Sequence, residues 1–229
     1  MPDAQPGSVL VFAPVIIVPV KPLSAAKTRL RTALDDRARE VLVLAMLADT
    51  LAAVRQAHAG EVLLVSDDCA YAPLAKQFGA TRLADGANGY NEAMAVALAS
   101  AAVVASGAAL IVPADLPRAL PSELRRALEA LRETEVVVAP AFDGGTAVLG
   151  LRPPSAIKTA FGLQSAQAHL RAATEAHRSA IVLDLPSLSY DIDNIEDLLV
   201  RRDTLGVATQ AFVHEYGARW EEELVRGRD

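Results

Sequence analysis

The stretch Leu110-Ile111-Val112-Pro113-Ala114-Asp115-Leu116-Pro117 decides the fold class of this chain. Its first residues form a short apolar run that indicates a buried strand, which Pro113 ends just before a carboxylate, Asp115. Pro117 prevents an immediate return to a sheet, and a helical pattern of leucines follows. Ligands of an open α/β sheet bind outside the carboxyl ends of its strands, so Asp115 is either a metal ligand or a turn residue that caps the next helix.

Length and composition restrict the class of protein. The chain has 229 residues, of which 52% are hydrophobic but only 4% aromatic, so we expect one α/β domain with an aliphatic core. The formal net charge of −6, with no compensating basic stripe, argues against nucleic-acid binding. A single cysteine, Cys69, and four scattered histidines argue against a disulfide framework and a zinc motif.

The N-terminal region shows no pattern of a signal peptide. The apolar run from Val9 to Val20 lacks a basic leader and is interrupted by Pro14 and Pro19. No other run approaches the roughly 18 uninterrupted apolar residues that a membrane-spanning helix needs. We therefore expect a cytoplasmic protein that has no membrane partner.

Short apolar runs alternate with helical patterns along the chain. Strands are predicted at residues 15–20, 62–65, 81–83, 110–113, 135–140, 147–151 and 181–185. Helices are predicted after a cap at Asp35 or Asp36 and then at 72–78, 91–105, 122–132, 165–176 and 196–205. This alternation predicts a single-domain, mostly parallel, doubly wound (Rossmann-like) α/β sheet. We place that domain at residues 9–213 and a helical tail at 214–229.

The C-terminal tail has the pattern of an amphipathic helix. Phe212, Tyr216, Trp220 and Leu224 recur every four residues among Glu and Arg. Such an apolar stripe more often packs on its own domain than between subunits. An intrachain role is therefore favoured, and a homodimer is the alternative.

Three cations follow the first predicted strand. Lys21, Lys27 and Arg29 lie within nine residues, and cations beside a helix start can neutralise a polyphosphate. A solvated basic turn is the ordinary explanation of such a cluster, but the position directly after a buried strand favours ligand binding. The loop matches neither the Walker motif nor the GxGxxG dinucleotide loop.

Carboxylates follow two further strands. Asp115 and Asp193 lie 78 residues apart in the sequence, and two such carboxylates with substrate phosphate oxygens would suit Mg²⁺. Asp191 competes with Asp193 for this role, since one of the two can bind a metal while the other caps the helix that follows. We favour Asp193.

Two short loops combine glycine with hydroxyl residues. The first is Gly144-Gly145-Thr146, and the second runs from Gly162 to Ser165. Glycines allow backbone amides to approach an anion, and Ser165 at a helix start adds a hydroxyl group and the helix dipole. Each loop alone is typical of a turn, but two such loops beside one acidic centre indicate an anion site.

Other polar side chains give weaker signals. Ser66, Asn88 and Asn91 follow the second and third strands, where the edge of a nucleobase is expected to lie. His169 can contact a substrate anion, but a lone histidine within a helix is more often structural.

Six segments carry a combined pattern in the order 18–30, 112–117, 143–146, 151–154, 161–169 and 191–198. Together these segments resemble the CofC/FbiD family, the guanylyltransferases of coenzyme F420 biosynthesis, which have a MobA-like nucleotidyltransferase fold. They fall within a match that covers roughly residues 15 to 213.

The resemblance implies that GMP is transferred from GTP to a small phosphorylated carboxylate with release of pyrophosphate. The acceptor would be 2-phospho-L-lactate, phosphoenolpyruvate or 3-phospho-D-glycerate, the cofactor Mg²⁺, and the product would pass to a deazaflavin transferase. The implied roles are triphosphate binding and catalysis by Lys21, Lys27, Arg29 and Asp115; metal binding by Asp115 and Asp193; nucleotide binding by Ser66, Asn88, Gly89 and Asn91; and acceptor binding by Thr146, Gly162 and Ser165.

The chain departs from the family pattern at four positions. Tyr90, Ala147, Gln164 and Ala166 stand where the family usually has leucine, asparagine, glycine and phenylalanine. These changes are expected to reshape the acceptor pocket, with 3-phosphoglycerate as a candidate acceptor.

Two other functions compete with this one. Another MobA-like nucleotidyltransferase would usually carry a glycine-rich loop where this chain has Lys21-Pro22-Leu23. A non-catalytic nucleotide-binding regulator would have no need of the carboxylates and cations described above.

Overall fold

Seven strands form one mixed sheet in the computed structural model, which describes residues 12–199 and 202–217. In chain order the strands are Val15–Pro19 (β1), Val62–Val65 (β2), Thr81–Leu83 (β3), Ala109–Ile111 (β4), Val136–Pro140 (β5), Thr146–Leu151 (β6) and Ala180–Val182 (β7). Their spatial order is β3-β2-β1-β4-β6-β5-β7. Only β6 runs against its neighbours, so the mostly parallel sheet is confirmed.

The central strands are buried on both faces because the sheet is covered by helices on both sides. Every residue of β1 is buried, and Ile16 is in register with Val62 of β2 and Leu110 of β4. Successive side chains of a strand point to opposite faces. Ile16 accordingly packs in one apolar core and Ile17 in the other.

Eight helices cover the sheet within the described residues. They are Asp36–Ala57 (α1), Ala72–Gln77 (α2), Tyr90–Leu98 (α3), Ala101–Ser106 (α4), Pro121–Glu133 (α5), Ser165–Glu175 (α6), Ile195–Leu199 (α7) and Val207–Tyr216 (α8). One core lies beneath α1, α5 and α8, and the other beneath α3, α4 and α6. The structure selects Asp35 as the cap of α1, because its carboxylate accepts a hydrogen bond from the Ala38 amide.

Three predicted elements before the C-terminal helix differ from the structure by more than two residues. The helix predicted at 91–105 is two helices, because Ser100 adopts an extended conformation (ψ 148°) and begins α4. The strand predicted at 181–185 ends at Val182, after which the chain turns and buries Leu185 and Leu188 in the core. The helix predicted at 196–205 ends at Leu199 in the described residues, and a separate 3₁₀ turn spans Arg202–Thr204.

The C-terminal helix is present and packs on its own domain. It begins at Val207, seven residues before the predicted tail at 214–229, and Asp49 of α1 accepts hydrogen bonds from the amides of Ala208 and Thr209. Phe212 is 3% exposed in the core beside α1. Tyr216 is partly buried and packs against the same core, so the intrachain prediction is confirmed for Phe212 and Tyr216. Trp220 and Leu224 lie outside the described residues.

No helix in ranges 12–199 and 202–217 has both the length and the apolar character that are needed to cross a membrane. The boundary predicted between residues 213 and 214 falls inside α8.

Candidate functional site

Most of the predicted site residues lie at one edge of the sheet. β1 and β4 are parallel and end there, so the residues that follow them, including Lys21 and Asp115, lie side by side. Thr146 is at the start of β6, but β6 is antiparallel to its neighbours and its start therefore lies at the same edge. The reversal of β6 brings Thr146 to the edge of the sheet where Asp115 lies.

A cavity of about 340 Å³, which we call the charged cleft, opens beside the end of β1. Such a volume suits a small-molecule site. Its charged lining residues are Lys21, Lys27, Arg29, Asp115, Asp191 and Asp193. The structure thus brings together all three predicted cations and both predicted metal ligands.

The cations of the charged cleft are paired with its carboxylates. Lys27 Nζ lies 2.6 Å from Asp115 Oδ2 and 3.3 Å from Asp193 Oδ1. Arg29 Nη1 lies 2.6 Å from Asp193 Oδ2. Since the side chain of Lys27 is only 10% exposed and that of Arg29 is 78% exposed, the lysine pair is the more sheltered of the two.

Electrostatics inside the charged cleft favour bound cations. Burial alone would lower the pKa of Lys27, but attraction to Asp115, and then to Asp191 and Asp193, raises this pKa above its ordinary value. Burial raises the pKa of the Asp191 carboxyl, and repulsion from Asp115 and Asp193 adds to that effect, although Lys27 opposes it. Three carboxylates are therefore crowded around one ammonium group.

The cationic loop is fixed from behind by a buried arginine that the sequence analysis missed. Arg39 of α1 is 1% exposed, and its Nη1 donates to the carbonyl oxygens of Leu23 at 2.6 Å and Ala26 at 2.7 Å. An arginine among the buried apolar residues of a helix face was a usable signal, because a buried charge needs partners. Asp68 accepts a hydrogen bond from the Leu23 amide and adds a second anchor.

A second cavity of about 500 Å³, which we call the hydroxyl pocket, lies next to the charged cleft. Its lining includes the three predicted acceptor residues, Thr146, Gly162 and Ser165. Gly162 has a φ of 141°, which L side chains rarely adopt, so glycine is required where the chain turns into α6.

A buried hydrogen-bond chain lies at the base of the hydroxyl pocket. Thr146 Oγ1 is 2.9 Å from Ser165 Oγ and 3.0 Å from His169 Nδ1. The amide of Ala160 donates to His169 Nε2 at 2.9 Å. His169 is fully buried, which lowers its pKa to about 4, so its ring is neutral near pH 7 and bonds directly to the Thr146 hydroxyl.

The two cavities share one wall. Lys21, Arg29, Tyr90, Asp115 and Asp191 line both of them. A ligand in the charged cleft and a ligand in the hydroxyl pocket would therefore meet beside Asp115, with cations and carboxylates around the point of contact.

The four predicted nucleotide-binding residues do not line either cavity. Ser66 is 1% exposed, and its hydroxyl accepts a hydrogen bond from the Asp68 amide. Asn91 donates to the Phe161 carbonyl at 3.0 Å and accepts from the Phe161 amide at 2.8 Å, so it joins the first turn of α3 to the loop before α6. Nucleotide contacts by these residues, and by Asn88 and Gly89 before α3, stay predictions.

Two of the four departures from the family pattern face the hydroxyl pocket. Tyr90 and Ala147 line it, whereas Ala166 is buried in the core beneath α6 and Gln164 is exposed. An effect on the acceptor is therefore expected from Tyr90 and Ala147 rather than from Gln164 and Ala166.

The carboxylates of the charged cleft do not by themselves complete a metal cage. Within the described part of the chain, no group of three or more His, Cys, Asp or Glu side chains has the arrangement of a metal site. Asp115 and Asp193 nevertheless converge on one positive charge, the ammonium group of Lys27. Their hard oxygen donors fit Mg²⁺, provided that phosphate and water supply the other ligands.

The overall fold matches solved nucleotidyltransferase-type structures. A protein of Desulfovibrio desulfuricans G20 assigned as a nucleotide-diphospho-sugar transferase superposes with a TM-score of 0.73 at 20% identity, over 89% of this chain and 95% of that chain. The 4-diphosphocytidyl-2C-methyl-D-erythritol synthase of Anaerococcus prevotii superposes with a TM-score of 0.57 at 12% identity, over 84% and 98%. At these identities the likeness concerns the fold.

Sequence relatives extend the likeness to a family. A phosphoenolpyruvate guanylyltransferase of Roseiflexus sp. is 37% identical over 188 residues, which cover 80% of this chain and 82% of the relative. A 3-phospho-D-glycerate guanylyltransferase of Colwellia psychrerythraea is 33% identical over 185 residues, 80% of this chain and 88% of the relative. The family model described as "Guanylyl transferase CofC like" matches residues 14–205, a range that contains every residue lining the two cavities. The chain therefore belongs to the CofC-like guanylyltransferase family.

Proposed function

We propose that this enzyme transfers GMP from GTP to a small phosphorylated three-carbon carboxylate and releases pyrophosphate, as a step in coenzyme F420 biosynthesis. The acceptor is 2-phospho-L-lactate, phosphoenolpyruvate or 3-phospho-D-glycerate. The observation that carries the proposal is the shared wall, where Lys21, Arg29 and Asp115 border both cavities. It suits a reaction in which two phosphate groups must meet.

The charged cleft is assigned to the triphosphate and the hydroxyl pocket to the acceptor. Lys21, Lys27 and Arg29 provide three positive charges in the cleft, whereas Thr146 and Ser165 provide neutral hydroxyl donors in the pocket. Relatives named as phosphoenolpyruvate and 3-phospho-D-glycerate guanylyltransferases support an acceptor of this size and charge.

The proposed reaction needs no protein nucleophile. An oxygen of the acceptor phosphate attacks the α-phosphorus of GTP, and the bond between that phosphorus and the bridging oxygen of pyrophosphate breaks. The electron pair leaves with pyrophosphate, and because the attacking phosphate is already ionised, no base has to remove a proton. Catalysis then consists of positioning and charge neutralisation, which Lys21 and Arg29 supply at the shared wall.

Asp115 and Asp193 would hold Mg²⁺, which supplies further neutralisation of triphosphate charge. Binding of GTP then requires an exchange of partners. Lys27 and Arg29 leave the carboxylates they contact in the free protein and turn to phosphate oxygens. The product passes to a deazaflavin transferase in the cytoplasm in this proposal.

The test is pyrophosphate release from GTP and Mg²⁺ with each of the three acids in turn, in the presence of a deazaflavin-accepting transferase. Release that depends on one acid supports the proposal and identifies the acceptor. If the protein binds GTP but releases no pyrophosphate with any of the three acids, the proposal is contradicted and a nucleotide-binding regulator is favoured. A Thr146→Ala variant that bound the acceptor normally would show that the acceptor does not bind in the hydroxyl pocket.

A further inference from the structure

The hydrogen-bond chain beneath the hydroxyl pocket has a direction that is set at its buried end. The backbone N–H of Ala160 lies 2.9 Å from His169 Nε2 and can only donate a hydrogen bond. His169 Nε2 must therefore be an unprotonated acceptor. Burial lowers the pKa of His169, and its ring is neutral near pH 7. The single ring hydrogen therefore lies on Nδ1 and is donated to Thr146 Oγ1.

The consequence follows from a count of hydrogens. The two links from His169 to Thr146 and from Thr146 to Ser165 need one hydrogen each. His169 supplies the first, so the two hydroxyl groups together need to supply only the second. One hydroxyl hydrogen is left over, on Ser165 or on Thr146, and both residues line the hydroxyl pocket.

The opposite tautomer would reverse this result. With its hydrogen on Nε2, the ring would oppose the Ala160 amide and would have to accept from Thr146 at Nδ1. Both hydroxyl hydrogens would then be used in the hydrogen bonds from Ser165 to Thr146 and from Thr146 to His169. Only oxygen lone pairs would face the pocket. Lone pairs repel an anionic oxygen, whereas a hydroxyl hydrogen binds it, with a charge-assisted hydrogen bond.

We propose that His169 is a positioning residue, which keeps one hydroxyl hydrogen of the Thr146–Ser165 pair available to an anionic oxygen of the acceptor. The identity of that acceptor rests on the proposed function, but the direction of the chain does not. His169 itself is fully buried and acts only through Thr146 and Ser165.

The direction can be measured without any substrate. Nitrogen-15 NMR of the histidine rings in the intact protein, with His169 assigned by its absence from a His169→Asn variant, shows which ring nitrogen carries hydrogen. We expect hydrogen on Nδ1 and a bare Nε2 at neutral pH. Hydrogen on Nε2, or on both nitrogens, overturns the proposal whether or not the protein turns over GTP.

A pair of variants of nearly equal shape tests the consequence for binding. The amide of His169→Asn can still donate to Thr146 from near the Nδ1 position, whereas the ionised carboxylate of His169→Asp can only accept. At about pH 8, where an ordinary aspartate is ionised, we expect the KM for the acceptor to rise about tenfold or more in His169→Asp. In His169→Asn it should stay within about threefold of the wild-type value, and the KM for GTP should be unchanged in both.

Equal increases in the KM for the acceptor in the two variants, or matching increases for GTP, would reduce His169 to a structural residue. If His169→Asp fails to fold, as seen by circular dichroism, the NMR result on the wild-type protein still decides the direction. Absence of acceptor-dependent release in the wild-type enzyme would instead count against the proposed function, with the tautomer result unaffected.

Discussion

The charged cleft and the hydroxyl pocket share a wall but are stabilised by opposite kinds of interaction. In the cleft, Asp193 is 42% exposed and its partner Arg29 is 78% exposed, so this ion pair is largely solvated. In the pocket, Thr146, Ser165 and His169 are neutral and at most 8% exposed. The outer ion pair of the cleft is charged and open, whereas the hydrogen-bond chain at the base of the pocket is neutral and buried.

This difference indicates how each half meets its ligand. Exposed ion pairs contribute only about 0–1 kcal/mol, so the cleft can exchange Arg29–Asp193 for phosphate and metal contacts at little cost. A buried polar group without a partner costs roughly 1–3 kcal/mol, so the hydroxyls of the pocket are fixed before any ligand arrives. We infer that the cleft adapts to the triphosphate, whereas the pocket selects the acceptor by shape.

The largest effect is expected from Asp115, which belongs to both halves. Asp115→Asn removes a carboxylate from the shared wall and should lower the rate of pyrophosphate release roughly a hundredfold or more. Stability should change little, because Lys27 keeps Asp193 as a partner. Steady-state kinetics and thermal melting measure the two effects.

Asp67→Asn is the matched control for this substitution. Asp67 lies outside both cavities and accepts a hydrogen bond from the Gly86 amide, which an asparagine oxygen can also accept. Its activity should stay near wild type. An Asp115→Asn enzyme that retained most of its activity would show that the carboxylate of Asp115 is not needed where the two cavities meet.

The next effect concerns the support behind the charged cleft. Arg39→Met leaves the carbonyl oxygens of Leu23 and Ala26 without their buried donor, and we expect a loss of about 3 kcal/mol in the free energy of unfolding. The KM for GTP should rise, since the cationic loop loses one of its two anchors and keeps only Asp68. Urea denaturation and kinetics with GTP test both points.

Arg37→Met, on the exposed side of the same helix, is the control for charge and helix propensity. It should change stability by less than about 0.5 kcal/mol. Equal losses in the two variants would show that the buried hydrogen bonds of Arg39 contribute nothing specific.

A smaller effect is expected in the pH dependence of the free energy of unfolding, through the buried ring of His169. The pKa of His169 is about 4 in the folded protein and about 6.5 in an unfolded chain, so the unfolded state takes up the proton first as the pH falls. His169 therefore favours folding fully above about pH 7, and this contribution declines as the pH falls towards 4. Between pH 7 and 5 the decline should be about 2 kcal/mol.

Comparison with His169→Asn isolates this term, because all other titrating groups are shared. The stability difference between wild type and variant, from urea denaturation at a series of pH values, should shrink as the pH is lowered. A difference that stayed constant from pH 7 to 5 would show that the ring is not held neutral.

Much of the fold follows from local sequence patterns. β2 is a continuous apolar run and has the predicted bounds, and α6 begins at Ser165 as predicted, because apolar runs and the turn residues between elements are local features of the chain. The order of the strands depends on long-range packing instead. The position of β6 between β4 and β5 was not deducible from the sequence pattern.

The same distinction applies to the site. Residues that follow strands, such as Asp115, could be placed at the ligand edge from the pattern alone. The link between Asn91 and Phe161 spans 70 residues of sequence and exists only because α3 and the loop before α6 meet in space. A partner of that kind has no local signal, so the sequence predicts only a nucleotide contact for this side chain, and that contact stays a prediction.

Gln164 gives the smallest expected effect and tests whether acceptor choice belongs to the pocket alone. It has a left-handed backbone conformation (φ 54°), which costs a residue other than glycine roughly 1 kcal/mol. Gln164→Gly should therefore stabilise the protein by up to about 1 kcal/mol, with flexibility of the unfolded chain offsetting part of the gain. Thermal melting measures the change.

The matched control is His177→Gly, which relieves the same conformation (φ 51°) at an exposed position beyond α6. Both variants should gain similar stability, and neither should change the ranking of the three acids, because Gln164 and His177 do not line the hydroxyl pocket. A changed ranking in Gln164→Gly alone would show that selection extends beyond the pocket wall. Since the glycines at 144 and 162 flank Gln164 in space and sequence, the backbone that carries Thr146 and Ser165 would then be the element through which it acts.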